Sequence, residues 1–252
     1  MDDFQVTFKN GIVFKQMIEV CKDIVQDVNI YFSRDGIELN SMDMAHVALV
    51  HLFISKKMFT SYSLTRATKI SVSLKHLFSI LKCMKEKYEL ILSYKSNHKL
   101  KIVMNSSDKK SYTFELCLFQ MEDNPMVPPE ATPDACFTME SSSFSDILKN
   151  MSNVLGGSNV TIEAKNEYCL FKTSGDVGSV EYMELLETMH CVNHVKMQFS
   201  LKYLHMFAKA SLFHENVDIT LFQDEPLQLR YGVQGKCFLQ FFLAPRFDDA
   251  DL

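Results

Sequence analysis

The sequence predicts an α+β protein of two similar domains, each combining antiparallel sheet with two amphipathic helices. Three observations carry this. A ten-residue pattern occurs twice, as Ser73-Leu74-Lys75-His76-Leu77-Phe78-Ser79-Ile80-Leu81-Lys82 and as Ser200-Leu201-Lys202-Tyr203-Leu204-His205-Met206-Phe207-Ala208-Lys209, and an internal repeat sets the architecture. Apolar residues recur at helical spacing in four stretches, one per quarter of the chain. Between them, alternating apolar runs are separated by turn residues, as antiparallel hairpins require.

The elements follow in order. The first helix, 14–25, places Phe14, Met17, Ile18 and Cys21 at offsets 0, +3, +4 and +7. Strands are expected at 28–32, 37–40 and 47–54, with a turn at Arg34-Asp35-Gly36. A strand at 70–72 leads into the second helix, 74–84, where Leu74, Leu77, Phe78 and Leu81 repeat the offsets. Runs at 89–94, 100–104 and 112–118 close the first half. Four of the six prolines then fall between Gln120 and Pro133. Proline neither donates to a strand ladder nor continues a helix, so this stretch reads as an extended linker. The expected division is 1–120, a linker at 121–133, and 134–252. In the second half a helix at 144–155 carries Phe144, Ile147, Leu148 and Met151 at the same offsets. Strands follow at 160–164, 169–173, 180–186 and 195–199, with a turn at Lys165-Asn166-Glu167. The fourth helix, 201–210, keeps Leu201, Leu204 and Ala208 and puts His205 at the remaining stripe position. Strands at 217–222, 227–231 and 238–243 complete the order.

The lysines are in phase with these stripes. Lys15 and Lys22, Lys75 and Lys82, and Lys202 and Lys209 all sit at +1 and +8. At about 100° per residue both positions lie on one flank of the helix. The third helix has Ser145 and Ser152 there, with Lys149 at +5. The four stretches hold these seven lysines against three acids, Glu19, Asp23 and Asp146, in a chain of net charge −5. One helix with a lysine flank is ordinary solvation. Recurrence at one phase in three helices points to a shared basic surface.

Composition narrows the class. A chain of 252 residues with 47% hydrophobic and 23% charged residues suits a globular protein with ample core. No apolar run has the length of a membrane span, and the start shows no signal-peptide pattern. The seven cysteines are scattered, odd in number and without a C-x-x-C pair, which points to reduced thiols inside a cell. There is no P-loop and no glycine-rich phosphate cradle. Ser79-Ile80-Leu81-Lys82 fits S-x-x-K, but the partner motifs are absent. His190-Cys191-Val192-Asn193-His194 brings two imidazoles and a thiol together, without the second ligand pair a closed zinc site needs. No catalytic residue, metal site or cofactor is expected.

Two further segments are informative. One is Gly36-Ile37-Glu38-Leu39-Asn40-Ser41-Met42-Asp43-Met44-Ala45-His46-Val47-Ala48-Leu49-Val50. The other is Phe241-Phe242-Leu243-Ala244-Pro245-Arg246-Phe247-Asp248-Asp249. With Ile80-Leu81-Lys82-Cys83, with Pro226, Leu227 and Tyr231, and with the linker, they make the chain resemble the eukaryotic DNA sliding clamps, the proliferating cell nuclear antigen family, over essentially its whole length. That resemblance implies a ring-shaped homotrimer with antiparallel sheets outside and four helices on one face, around a hole that duplex DNA passes through. Lys15, Lys22, Lys75, Lys82, Lys149, Lys202 and Lys209 would then meet phosphates. Asp146 and Gln16 depart from the basic residues many clamps carry there. Pro125 and Pro128 stiffen the linker.

The resemblance also implies a pocket for partner peptides at Met42, His46, Val47, Leu49, Val127, Pro129, Pro226, Phe242, Ala244, Pro245 and Arg246. It implies a subunit interface between 109–117 and 174–183, with Phe114, Leu116, Val180 and Tyr182 in contact. The implied partners are double-stranded DNA, DNA polymerase, a clamp loader and proteins with clamp-interacting peptides, in the nucleus or, for a virus-encoded clamp, at a viral replication site; no membrane is involved. A checkpoint-type clamp subunit, a monomeric viral or organelle-encoded factor and an S-x-x-K hydrolase are the alternatives.

Overall fold

The computed structural model describes residues 2–122, 131–155, 157–176, 178–186, 189–223, 225–233 and 236–246. Two compact units emerge. The first comprises Met1–Met44, Val50–Met126 and Val233–Leu239; the second comprises Ala45–Leu49, Val127–Gly232 and Gln240–Leu252. Most of the expected linker, 123–130, lies outside the described residues.

Along the first half the order is β1 (Phe4–Phe8), α1 (Ile12–Cys21), β2 (Asp27–Phe32), β3 (Gly36–Met42), β4 (Ala48–Ser55), β5 (Ser61–Leu64), β6 (Thr68–Ser73), α2 (Leu74–Leu81), β7 (Glu89–Tyr94), β8 (Lys99–Asn105) and β9 (Ser111–Cys117). The second half repeats it with β10 (Ala135–Glu140), α3 (Ser141–Leu155), β11 (Asn159–Lys165), β12 (Tyr168–Gly175), β13 (Gly178–Leu185), β14 (His190–Cys191), β15 (Val195–Ser200), α4 (Leu201–Ala208), β16 (Asn216–Leu221), β17 (Leu227–Val233) and β18 (Cys237–Leu243). Strand-helix-five strands-helix-three strands occurs twice, which is the duplication the decapeptide announced.

In the first unit a five-stranded antiparallel sheet runs β5-β1-β7-β8-β9, and β4-β3-β2-β6 are neighbours in a second sheet. Gly36 begins β3 at φ +154°, where a Cβ would sit 2.0 Å from the Ile54 carbonyl oxygen, so only glycine fits. In the second unit a four-stranded sheet runs β13-β12-β11-β15, and β14-β10-β16-β17-β18 form the other order. The β11–β12 turn holds Asn166 at φ +55°, a conformation asparagine tolerates.

The helices bury the stripes read from the sequence. Phe14, Met17, Ile18 and Cys21 of α1 are buried, as are Leu74, Leu77, Phe78 and Leu81 of α2. Phe144, Ile147, Leu148 and Met151 of α3 are buried too, with Leu201, Leu204 and Ala208 of α4. Phenylalanines fill both cores: Phe4 stacks on Phe32 with centroids 3.7 Å apart in the first unit, and Phe207 stacks on Phe241 at 4.5 Å in the second.

Several expectations need correction. The first helix ends at Cys21, and Ile24 and Val25 belong to a turn in which the Ile24 N–H donates to the Cys21 carbonyl. The second helix stops at Leu81 rather than 84. The third starts earlier, at Ser141, and the fourth ends at Ala208, passing into a 3-10 turn over Lys209–Leu212. Strands β1, β5, β10 and β14 add to those expected. The seven cysteines are unpaired, and burial pushes the Cys21 thiol up to about 12.

Candidate functional site

The two repeated decapeptides place lysine at opposite ends of their helices. Lys75 and Lys202 are the second residues of α2 and α4, whereas Lys82 and Lys209 are the C-caps. Lys22 is likewise the C-cap of α1. A cation suits the C-terminal end of a helix, where the carbonyl ends carry partial negative charge, by about 0.3–1 kcal/mol. So the three C-cap lysines have a structural explanation. Lys75 and Lys202 do not, because a cation in the first turn faces the positive end of the dipole. Neither helix carries an acid in its first turn to compensate. The N-caps Ser73 and Ser200 make no side-chain capping bond; instead the Leu74 N–H donates to the Gln26 carbonyl and the Leu201 N–H to that of Ser158.

The lysines also differ in their partners. The Lys22 ammonium lies 2.5 Å from the Asp23 carboxylate and 4.8 Å from the Phe78 ring centroid. Lys82 approaches the same ring at 5.5 Å. Lys149 pairs with Asp146 at 3.0 Å across one turn of α3, both exposed. Lys75, Lys82 and Lys202 are exposed and have no carboxylate partner among the described residues; Lys15 and Gln16 are half-buried. The Ser79 hydroxyl of the S-x-x-K sequence donates to the Lys75 carbonyl at 2.9 Å, back along its own helix.

Helix α3 packs on α4 within the second unit. There Ser152, one of the two serines at the lysine phase, lies 2.5 Å from Nε2 of His205. Burial first, and the Lys149 charge second, hold the His205 imidazole below its ordinary range.

The peptide-pocket residues divide. His46 and Arg246 are exposed, and Met42, Val47, Pro226, Ala244 and Pro245 are half-buried. Leu49 and Phe242 are 5% and 3% exposed. Their side chains are core residues, in stretches of β4 and β18 where the adjoining residues are buried as well, so they support the neighbouring surface rather than forming it. Val127 and Pro129 lie outside the described residues. Met42 counts with the first unit; within the second, the Ala244 N–H donates to the Val47 carbonyl at 2.9 Å and the Arg246 N–H to that of Gln198 at 2.7 Å. His46 has φ +56°, a strained value for a residue with a Cβ. Met44 is 84% exposed, and no pattern in the sequence singles it out.

The two interface segments are both sheet edges. Among the described residues β9 pairs only with β8, and β13 only with β12. Phe114, Leu116 and Val180 are half-buried and Tyr182 is exposed. Tyr112, Met183 and Leu185 add exposed apolar surface on the same strands, beyond the residues that sequence reasoning names. A long apolar edge with unpaired backbone groups invites another strand.

Among the described residues no group of three metal-ligating side chains is assembled. His194 instead pairs with Glu163 at 2.9 Å, and the Cys191 thiol faces the Asn193 carbonyl. No helix among the described residues is long and apolar enough to cross a membrane.

Comparison with known proteins bears on these surfaces together. Residues 3–125 match the family model of the proliferating cell nuclear antigen N-terminal domain, and residues 128–246 that of its C-terminal domain. Proliferating cell nuclear antigen of Chaetomium thermophilum is 31% identical, covering 97% of this chain and 98% of the relative. A protein of Paramecium bursaria Chlorella virus 1 named probable DNA polymerase sliding clamp 2 is 28% identical, covering 98% of this chain and 93% of the relative. The crystal structure of proliferating cellular nuclear antigen from Entamoeba histolytica superposes with a TM-score of 0.91 at 28% identity, covering 98% of this chain and all of that one.

Proposed function

Since the chain belongs to the proliferating cell nuclear antigen family, we infer that it is a DNA sliding clamp of replication, a processivity factor that tethers DNA polymerase to its template. It works as a homotrimer closed head to tail, with β9 of one subunit adding to β13 of the next; the two apolar edges support this pairing. A heterologous interface that closes by rotation gives a ring. Topological linkage, not tight binding, keeps such a ring on duplex DNA.

The observation that carries the DNA reading is the placement of Lys75 and Lys202 against their helix dipoles. That placement disfavours each helix end and makes sense where phosphates supply the missing negative charge. With Lys15, Lys22, Lys82, Lys149 and Lys209 they face the hole and touch phosphates briefly and without reading sequence. Peptides of replication and repair partners and of the clamp loader dock on the surface around Met42, His46, Val47, the linker, Pro226 and Ala244–Arg246, supported by the exposure of His46 and Arg246. The clamp is a scaffold without catalytic chemistry, acting in the nucleus or at a viral replication site.

The test is polymerase run length on primed circular DNA, with wild type and the Lys22→Ala, Lys82→Ala, Lys209→Ala triple variant, over a range of salt. Light scattering is expected to give three times the 29.0 kDa of one chain for both. Shorter runs with unchanged mass support the reading. Equal run lengths at every salt concentration reject the assignment of these lysines to the hole.

A further inference from the structure

Within the first unit, a cleft of about 830 Å³ opens between the C-terminal end of α1 and α2, walled by Lys22, Lys75, Lys82, Ser73, Phe78 and Phe119. We propose that this cleft binds an unpaired nucleotide of a single-stranded nucleic acid, with its base stacked on Phe119 and its flanking phosphates on Lys75 and Lys82. The proposal rests on the reading that this lysine surface meets DNA and adds an unpaired strand that one cleft of it can hold.

The two aromatic rings of the cleft are in opposite states. Phe78 is 6% exposed, and the Lys22 and Lys82 ammonium groups lie 4.8 and 5.5 Å from its ring centroid. It fixes two cations at the rim by cation–π attraction. Phe119 is 40% exposed. A ring in the open contributes nothing to contacts with duplex phosphates, whose stacked bases present no free face.

Phe119 is also held firmly. Its N–H donates to the Ser71 carbonyl at 3.3 Å, and the Met121 N–H donates to the Ser71 hydroxyl at 3.3 Å. That hydroxyl donates to Oδ1 of Asn29 at 2.6 Å, and Nδ2 of Asn29 donates to the Glu122 carbonyl at 3.0 Å. Ser71 and Asn29 are buried, so the segment that presents Phe119 is pinned to β6 and β2 by a buried polar clamp. A fixed, exposed aromatic among lysines is the arrangement that stacks unpaired bases, worth about 1–3 kcal/mol per base. Asp23 and Asp27 also line the cleft. Asp23 is paired with Lys22, while Lys75 and Lys82 have no carboxylate within ion-pair distance among the described residues.

Fluorescence anisotropy with a labelled short oligothymidine and a duplex of equal length tests this on the intact protein. Phe119→Leu is expected to weaken the single strand about 5- to 140-fold and leave the duplex unchanged. Phe119→Tyr is expected to restore single-strand binding, and Lys75→Ala to weaken both forms. Oligouridine of the same length, bound equally or less tightly, identifies RNA or DNA as the source of the strand. If Phe119→Leu leaves the single strand unaffected while Lys75→Ala weakens the duplex, the cleft proposal falls and the clamp reading stands. If Lys75→Ala changes neither, the reading beneath it falls as well. Displacement of the oligothymidine by an acidic tyrosine-containing peptide at lower concentration would overturn the proposal in favour of a peptide surface.

Discussion

The opposed lysines make stability and DNA binding separable. Lys75→Ala with Lys202→Ala removes two cations from helix N-terminal turns. Each removal relieves about 0.3–1 kcal/mol of unfavourable dipole interaction. In a chain of this size, roughly 2–4 °C accompanies each kcal/mol, so the double variant is expected to melt about 1–8 °C higher. Lys82→Ala with Lys209→Ala removes cations from the favourable ends, and Lys82 also leaves the Phe78 ring, so this variant is expected to melt lower. Toward duplex DNA both variants move the same way. Removing one lysine–phosphate pair lowers the slope of log affinity against log salt by about 0.9. For one such pair this is about a 3.5-fold smaller fall in affinity between about 50 and about 200 mM salt. Calorimetry gives the melting temperatures, and anisotropy of a labelled duplex across salt gives the slopes. A lower melting temperature for the Lys75/Lys202 variant, or an unchanged slope, would refute the argument that these two lysines are retained for phosphate.

Three other outcomes follow from particular side chains. The Tyr231 hydroxyl is buried and has no hydrogen-bond partner among the described residues, so Tyr231→Phe is expected to stabilise the fold by about 1–3 kcal/mol in urea titrations; a decrease in stability would mean the hydroxyl is satisfied. The His205 imidazole is held below its ordinary 6.5 by burial and then by Lys149, so the unfolded chain takes up the proton first; stability is full above 6.5 and falls as pH drops from there through the folded value. His205→Gln should therefore show a smaller drop in melting temperature than wild type between about pH 7.5 and about pH 5.5, and an equal drop would place the acid sensitivity elsewhere. Tyr182→Lys with Met183→Lys, both exposed on the β13 edge, is expected to give the mass of a single chain by light scattering, and an unchanged trimer mass would remove β13 from the interface.

Much of the fold is legible in the sequence because its signals are periodic. The apolar stripes of all four helices follow from the 3.6-residue period, which is written in local sequence. Strands β1 and β10 carry an equally plain signal that the helix and hairpin patterns overshadow: Phe4, Val6 and Phe8 alternate, as do Ala135, Phe137 and Met139. Strands β5 and β14 are different. Ser61–Leu64 and His190–Cys191 are too short to show a period, and they are strands because β1 and β10 supply partners. The stripe at 14–25 overstates the length of the first helix, because Ile24 and Val25 continue the apolar pattern while the backbone has already turned.

By itself the sequence determined the duplication, the helix faces, the lysine phase and the likeness to a sliding clamp, all of which depend on residue order alone. The tertiary structure decided which of those residues are available. Leu49 and Phe242 belong to the core together with their chain neighbours Ala48, Val50, Phe241 and Leu243, because the stretches of β4 and β18 that carry them are covered on both faces. Helix α2 ends at Leu81, which makes Lys82 a cap and places Lys75 in the first turn, at the other end of the helix. Phe119 stands open beside three lysines only because Ser71 and Asn29, 48 and 90 residues earlier in the chain, hold its segment in place. Such placements arise from contacts distant in sequence, and no local period encodes them.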